Sequence, residues 1–367
     1  MEEVELSYKR MADTIVNKCL KVSKKDVVIV STYQHTIDLA EEIAMACFDN
    51  EADVLMTLDT DRVFYHHLHV LPESNLKQTS AHCMGLSRYS TVNIFIGGPE
   101  DPGPMSKVPP GKYAALFEGE RPHGEYMRKR KIRIGYLGIG AVTPQRAKAY
   151  GFDYERWKRM VTAASSADPS EMRKFGNRLK RILDRGKHMH ITTRAGTDLS
   201  FDLGNRKAIV FTPMLTKVNM ERGLFVVSIP SGGVAIAPIE RSVEGKAFFD
   251  IPQPSVGKLV EGMRWTFKDG RVKSFTAKRN VNALKGMWDK GHGDKDRLGV
   301  VSLGINPKGK IGFLENYLAR GVVTLSLGDN DELGGENKSD AGAAASMSRA
   351  TIEVDDRVIL KTGKYAI

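Results

Sequence analysis

Short apolar runs and helix-spaced apolar positions alternate through the first 150 residues. Residues 27–30 (VVIV) form an unbroken apolar run of the kind a strand buried on both faces needs. Behind it, Ile37, Leu39, Ala40, Ile43, Ala44, Cys47 and Phe48 recur at helical spacing after Thr36, a residue type that caps helices. The pattern then predicts a strand at 54–58, a polar helix near 74–86 and a strand at 92–96 ending in Gly97-Gly98. Residues 114–117 read as a further strand, and 132–137 as another, with Ile132, Ile134 and Tyr136 alternating. Strands separated by helices imply parallel neighbours joined by right-handed crossovers, so 1–150 is expected to be an α/β domain on an open parallel sheet. The turn after the first strand, 31–37, contains no glycine. A G-x-G-x-x-G approach of a dinucleotide pyrophosphate is therefore excluded there.

The period then lengthens. Trp157, Met160 and Val161, followed by Met172, Phe175, Leu179, Ile182 and Leu183, mark two helices, with Asp168-Pro169 breaking between them. Residues 151–186 are read as a helical connector. From 187 onward the pattern changes to short alternating runs separated by glycine-rich turns. Strands are expected at 188–193, 197–203, 226–229, 234–237, 265–267, 272–276, 300–303, 322–327 and 358–362, with Asp269-Gly270 as a hairpin turn. Residues 187–367 are thus read as a β-rich α+β domain.

Composition narrows the class. The chain has 367 residues, 41% apolar and 27% charged, which excludes a disordered or fibrous chain. No apolar run approaches the ~18 residues of a membrane span, and residues 1–20 mix acids and bases where a signal peptide would be apolar. Cys19, Cys47 and Cys83 include no CxxC pair, so a reduced, cytoplasmic protein is expected, without disulfides and away from membranes. The net charge of +11 is concentrated. Residues 121–187 hold 18 Lys or Arg against 6 Asp or Glu. Charge runs usually serve solubility, but a block of this size also has the field to attract an anionic partner.

Several stretches carry a resemblance. They are Gly196-Thr197-Asp198-Leu199, Ile229-Pro230-Ser231-Gly232 leading to Ala237-Pro238, Glu244-Gly245, and Phe267 to Val272. They continue with Leu303 to Pro307, Leu327 to Asn330, Gly334 to Ser339, and Val354-Asp355-Asp356. In this order the second half resembles the aminopeptidase T / aminopeptidase S family of two-metal peptidases. The first half fits the same family more loosely. The resemblance implies that fold, a peptide or small-molecule substrate, a homodimer, and a pair of divalent metals held by Glu, His and Asp. Two such cations polarise a carbonyl and lower the pKa of bound water. Carried over position by position, the five expected ligands fall on Gly233, Val300, Thr324, Gly342 and Ala344. None of these is a carboxylate or an imidazole, and a lone Thr hydroxyl is a poor ligand. No metal and no other cofactor is therefore expected. The same substitutions weigh against the ring-cleaving iron dioxygenases that share part of this ligand set.

What remains to line the cleft is a short list. His292, in a loop before 300, is the candidate acid/base, because an imidazole titrates near neutrality. Ser231 and Asp340 complete the catalytic candidates, with Ser339 as the alternative hydroxyl. Asn306, Glu315, Asn337, Ser339, Gly233, Val300 and Thr324 are the binding candidates. His66, His67 and His69, and separately His188 and His190, are close in sequence but lack evident third and fourth ligands. Three readings follow: a metal-independent enzyme acting on a small amide-like or ring substrate, a non-catalytic binding protein using the basic 121–187 block, and a conventional metallo-aminopeptidase.

Overall fold

The computed structural model describes residues 2–221, 223–255, 258–289 and 291–367. The chain forms two compact units, one of Met1–Pro169 with Pro213–Pro230, the other of Ser170–Thr212 with Ser231–Ile367.

The first unit is built on five parallel strands in the order Asp53–Asp59, Val27–Tyr33, Val92–Ile96, Arg133–Leu137, Val226–Ile229. The apolar runs are central: Val28, Val30, Ile94 and Ile96 are buried. Helix Ile37–Asp49 turns Leu39, Ala40, Ile43, Ala44 and Cys47 inward, at the spacing read from the sequence. Burial pushes the thiols of Cys19 and Cys47 up to about 12, which makes them packing groups; Cys83 is exposed. Strand Val226–Ile229, whose side chains alternate between exposed and buried, joins this sheet and not those of the second unit.

Residues 114–117 are not a strand. They lie within helix Pro110–Lys129, where Ala115, Gly119 and Met127 are buried at fourfold spacing. A four-residue apolar run is too short to carry a period, and here the helix formers around it decide. Ala115 packs into a cluster with Tyr65, Leu68, Leu76 and Val108.

Buried Asp26 fastens the beginnings of three strands. Its carboxylate accepts from the Ser23 N–H and hydroxyl at 2.8 and 3.0 Å, from the Thr91 hydroxyl at 2.8 Å, and from the Arg133 guanidinium. Burial raises its pKa, but these donors and the Arg133 charge outweigh that and leave it below the ordinary carboxylate value. Asp26→Ala is expected to cost about 2–3 kcal/mol, the scale of hydrogen bonds to charged groups. Because the folded pKa is depressed, this stabilisation is present above the unfolded value of about 4 and is lost as pH falls through the folded one. Urea titrations of wild type and variant should therefore converge in acid.

The second unit has two main sheets of antiparallel neighbours. The larger runs Arg271–Thr276, Met263–Lys268, Glu244–Phe249, Asp198–Asp202, His188–Thr192, Thr351–Val354, Arg357–Lys361, Lys364–Tyr365. Its first hairpin turns at Asp269-Gly270, with φ of 54° and 72°, the double left-handed conformation this dipeptide favours. The smaller sheet runs Ala343–Met347, Val323–Leu327, Leu298–Gly304, Gly233–Ile236, Ile209–Phe211. Among the described residues, no helix is long and apolar enough to cross a membrane.

Candidate functional site

The smaller sheet has two unlike faces. Val234, Ile236, Val301, Leu303, Val323, Leu325, Ala345 and Met347 point one way and are buried. Register fixes the other face. Ala235, Ser302, Thr324 and Ser346 lie in one cross-strand row, Val300, Ser326 and Ala344 in another, and Gly233 pairs Gly304 in a third. Directly opposed residues share a face, and so do residues two apart, so these positions form a single surface. A Cβ on Gly233 would sit 3.3 Å from the Ser302 hydroxyl, as this requires. Four of the five positions where the resemblance places metal ligands (Gly233, Val300, Thr324 and Ala344) thus converge on one face of one sheet. Gly342 directly precedes the strand that carries Ala344.

That convergence depends on an irregularity. The pairing slips between Leu298 and Val300, so that Leu298 opposes Leu327 on the buried side while Val300 opposes Ser326 on the other. Gly299 occupies the slip, where a Cβ would come within 2.4 Å of the Gly328 carbonyl. Two buried asparagines hold it. Asn330 donates to the Gly299 carbonyl at 3.2 Å, and Asn337 donates to the Leu298 and Gly328 carbonyls at 3.3 and 3.1 Å. The amide of Asn337 is therefore spent on backbone. Asn330 in turn donates to Glu240, which also accepts from the Glu336 N–H and pairs with Arg206.

Asn306 is likewise committed. Fully buried, it donates to the Ser231 carbonyl at 2.9 Å and accepts from the Lys308 and Gly309 N–H groups at 3.0 and 2.9 Å. It ties the Ser231 turn to the turn after strand Leu298–Gly304. Thr324 is buried and shares a 2.8 Å hydrogen bond with the Ser346 hydroxyl. Glu315 lies half-buried at the start of the short turn Asn316–Leu318.

His292 and Asp340 do meet. The imidazole Nδ1 is 2.9 Å from one carboxylate oxygen, and the His292 N–H donates to the other. These donors, the backbone one first, hold the Asp340 carboxyl below its ordinary value although both side chains are exposed. The Ser339 hydroxyl lies 2.8 and 2.7 Å from the carbonyls of His292 and Ala341, either of which can take its one proton, and it accepts from the Ala341 N–H at 3.2 Å, so its bonds are committed to backbone. Ser231 lies near the Gly233–Gly304 pair, at one end of strand Leu298–Gly304. His292 precedes the other end, about 20 Å away at ~3.3 Å per residue. Ser231 thus lies by one end of that strand, while the His292–Asp340 pair precedes the other. The loops bearing His292 and Asp340 lie at the Val300–Ala344 end of the sheet, because both precede strands that start there.

Three of the histidines that are close in sequence have partners of their own. His188 and His190 face Asp202 and Asp198 across a strand pair at 3.0 and 2.8 Å, and His69 contacts the Tyr65 carbonyl at 2.6 Å. Among the described residues, no three His, Cys, Asp or Glu side chains gather closely enough to hold a metal ion. Ser302, Ser326 and Ser346 were not among the residues singled out from the sequence. Their alternation with apolar neighbours was visible there, but not which strands they would oppose.

An open parallel sheet joined to an antiparallel β unit that bears such a face defines the class. The chain belongs to the thermophilic metalloprotease family M29, whose model matches residues 5–315. Thr324, Gly342 and Ala344 lie beyond the matched span. Wild-type AmpT from Thermus thermophilus has the same fold, with a TM-score of 0.76 at 17% identity over 99% of both chains. The 2,5-dihydroxypyridine dioxygenase of Pseudomonas putida KT2440 is similar too, with a TM-score of 0.63 at 12% identity over 99% of this chain and 97% of its own. No curated protein matches the sequence.

Proposed function

We propose that this member of the family acts without the paired metals, as a cytoplasmic homodimeric enzyme on a small amide-like or ring-shaped substrate. The observation that carries the reading is the makeup of one sheet face. Gly233, Val300, Thr324 and Ala344 share it, and none supplies a carboxylate or an imidazole. The donor set does not fit a divalent pair, which needs several charged or imidazole ligands. What the face offers instead is hydroxyl groups, half-buried on Ser302 and Ser326 and backed by the buried, mutually bonded pair Thr324 and Ser346, suited to the hydrogen-bonding groups of an uncharged substrate. A protein of the same fold named for a hydroxylated ring supports the ring class. His292, oriented by Asp340 at the Val300–Ala344 end, is the group assigned to proton transfer.

Elemental analysis of the purified chain tests this, together with turnover of leucyl substrates in added Zn²⁺, Co²⁺ or Mn²⁺. The expected result is no stoichiometric divalent metal and no metal-stimulated peptidase activity. About two metals per chain with leucyl turnover, as a two-metal mechanism requires, would overturn the reading and return the chain to the conventional peptidases.

A further inference from the structure

The basic block at 121–187 divides between the two units, and its second part borders a cavity of about 620 Å³ within the second unit. Helix Pro169–Leu183 forms one wall. Lys174, Arg178 and Arg181 stand on it at i, i+4 and i+7, one face of the helix, and Arg320 closes the opposite rim. Gly176 brings the two walls together. A Cβ there would come within 2.6 Å of a Val210 methyl and 3.1 Å of the Ile305 terminal methyl, so a larger residue would have to push these side chains aside.

The floor is apolar and aromatic. Met172, Phe175 and Ile305 are buried beneath the cations. The Phe175 ring has the Arg320 guanidinium 4.2 Å from its centre and that of Arg178 at 5.5 Å, while Tyr365 packs against it edge-on at 5.0 Å. Tyr365 is itself fixed by its hydroxyl bond to the Gly304 carbonyl. Lys174 pairs with Glu171, the one acid in the lining. Among the described residues no carboxylate lies within ion-pair distance of Arg178, Arg181 or Arg320. Surface arginines usually find acids or point away from one another. Here three planar forks line one cavity, two of them over one ring, and none has a carboxylate within ion-pair distance among the described residues.

We propose that this cavity is a recognition site for a phosphate-bearing small molecule with more than one negative charge, of about nucleotide size. Guanidinium forks match phosphate oxygens in pairs, and contact of Arg320 and Arg178 with the Phe175 ring limits the ordering that binding would otherwise require. The volume falls in the range of small-molecule pockets, and the apolar floor accepts the uncharged part of such a ligand. This site shares no residue with the hydroxyl-lined face, so its test is independent of the metal assay.

Inorganic tripolyphosphate, titrated calorimetrically into the full chain, is the probe. Saturable one-to-one binding that weakens with added salt is expected. Arg178→Ala and Arg320→Ala should each weaken it roughly ten- to hundredfold, the scale of a lost charge-assisted hydrogen bond. Arg320→Lys should fall between, because it keeps the charge but not the fork. Melting curves establish that each variant remains folded. Three outcomes would overturn the proposal: no binding, binding that all three variants retain unchanged, or self-association that covers the cavity and disappears in the arginine variants. A single-stranded oligonucleotide that binds more tightly than tripolyphosphate, and competes with it, would assign the arginines to a nucleic-acid backbone and overturn it equally.

Discussion

Glu240→Ala should lower the stability of the protein by about 3–5 kcal/mol, the cost of removing one partner from a buried ion pair. Glu240 is 6% exposed, and both its oxygens face one Arg206 nitrogen at 3.0–3.1 Å. The Glu336 N–H at 2.7 Å and the Asn330 amide at 3.0 Å complete its acceptor sites. Without the carboxylate, Arg206 keeps a partly buried charge with no counter-ion, and its Nε already lacks a partner among the described residues. Asn330 also loses one of the bonds that orient it toward Gly299, so the slip that turns Val300 outward loses a brace. Glu240→Gln, which retains an acceptor oxygen, should cost less. Burial raises the Glu240 pKa, but the donors and Arg206 bring it below the ordinary value. Its contribution is thus present above the unfolded carboxylate value of about 4 and lost as pH falls through the folded one. Denaturant titrations at neutral and acid pH should show the gap between wild type and Glu240→Gln closing in acid. A change under about 1 kcal/mol for Glu240→Ala at neutral pH would contradict the account.

Trp265→Ala is the second large effect, also about 3–5 kcal/mol, on the scale of deleted core aromatics. The indole is fully buried in the larger sheet of the second unit. Its ring centre lies 4.5 Å from Phe249, 5.6 Å from Phe275 and 6.3 Å from Phe267, and Phe275 continues to Trp288 at 5.2 Å. Neighbours drawn from several strands cannot all move inward to fill the space. The indole N–H has no hydrogen-bond partner among the described residues, an unusual buried donor. Trp265→Phe should therefore cost much less than Trp265→Ala: it leaves a smaller cavity and removes the unpaired donor at the same time. Thermal unfolding of the two variants side by side distinguishes this from a role of the indole N–H itself, which would make them alike.

Most of the local structure was legible because the residues concerned carry their own period. Ile37 to Phe48 could only be amphipathic as a helix, and Asp269-Gly270 takes a conformation few other dipeptides adopt. The 114–117 run misled because four apolar residues fit either period. Residues 226–229 announced a strand but not its partners, since pairing is set by contacts nearly a hundred residues away along the chain. The site divides in the same way. The resemblance supplied Gly233, Val300, Thr324, Gly342 and Ala344, but their sharing of one face depends on a one-residue slip at Gly299. Asn306 and Asn337 looked like polar groups available to a ligand; the structure commits both to neighbouring backbone. The arginine-lined cavity was invisible for a different reason: Arg178 and Arg320 are far apart in the chain, and close packing at Gly176 brings their walls together.

The fifth strand of the parallel sheet has a consequence for the order in which the protein can be completed. Its four residues follow more than forty that belong to the second unit. During synthesis the first unit must wait, with Arg133–Leu137 as an uncovered edge, until 226–229 have emerged. By then the chain has already begun the other unit. Neither unit is a continuous stretch of chain, so neither could be expressed alone as a single uninterrupted fragment.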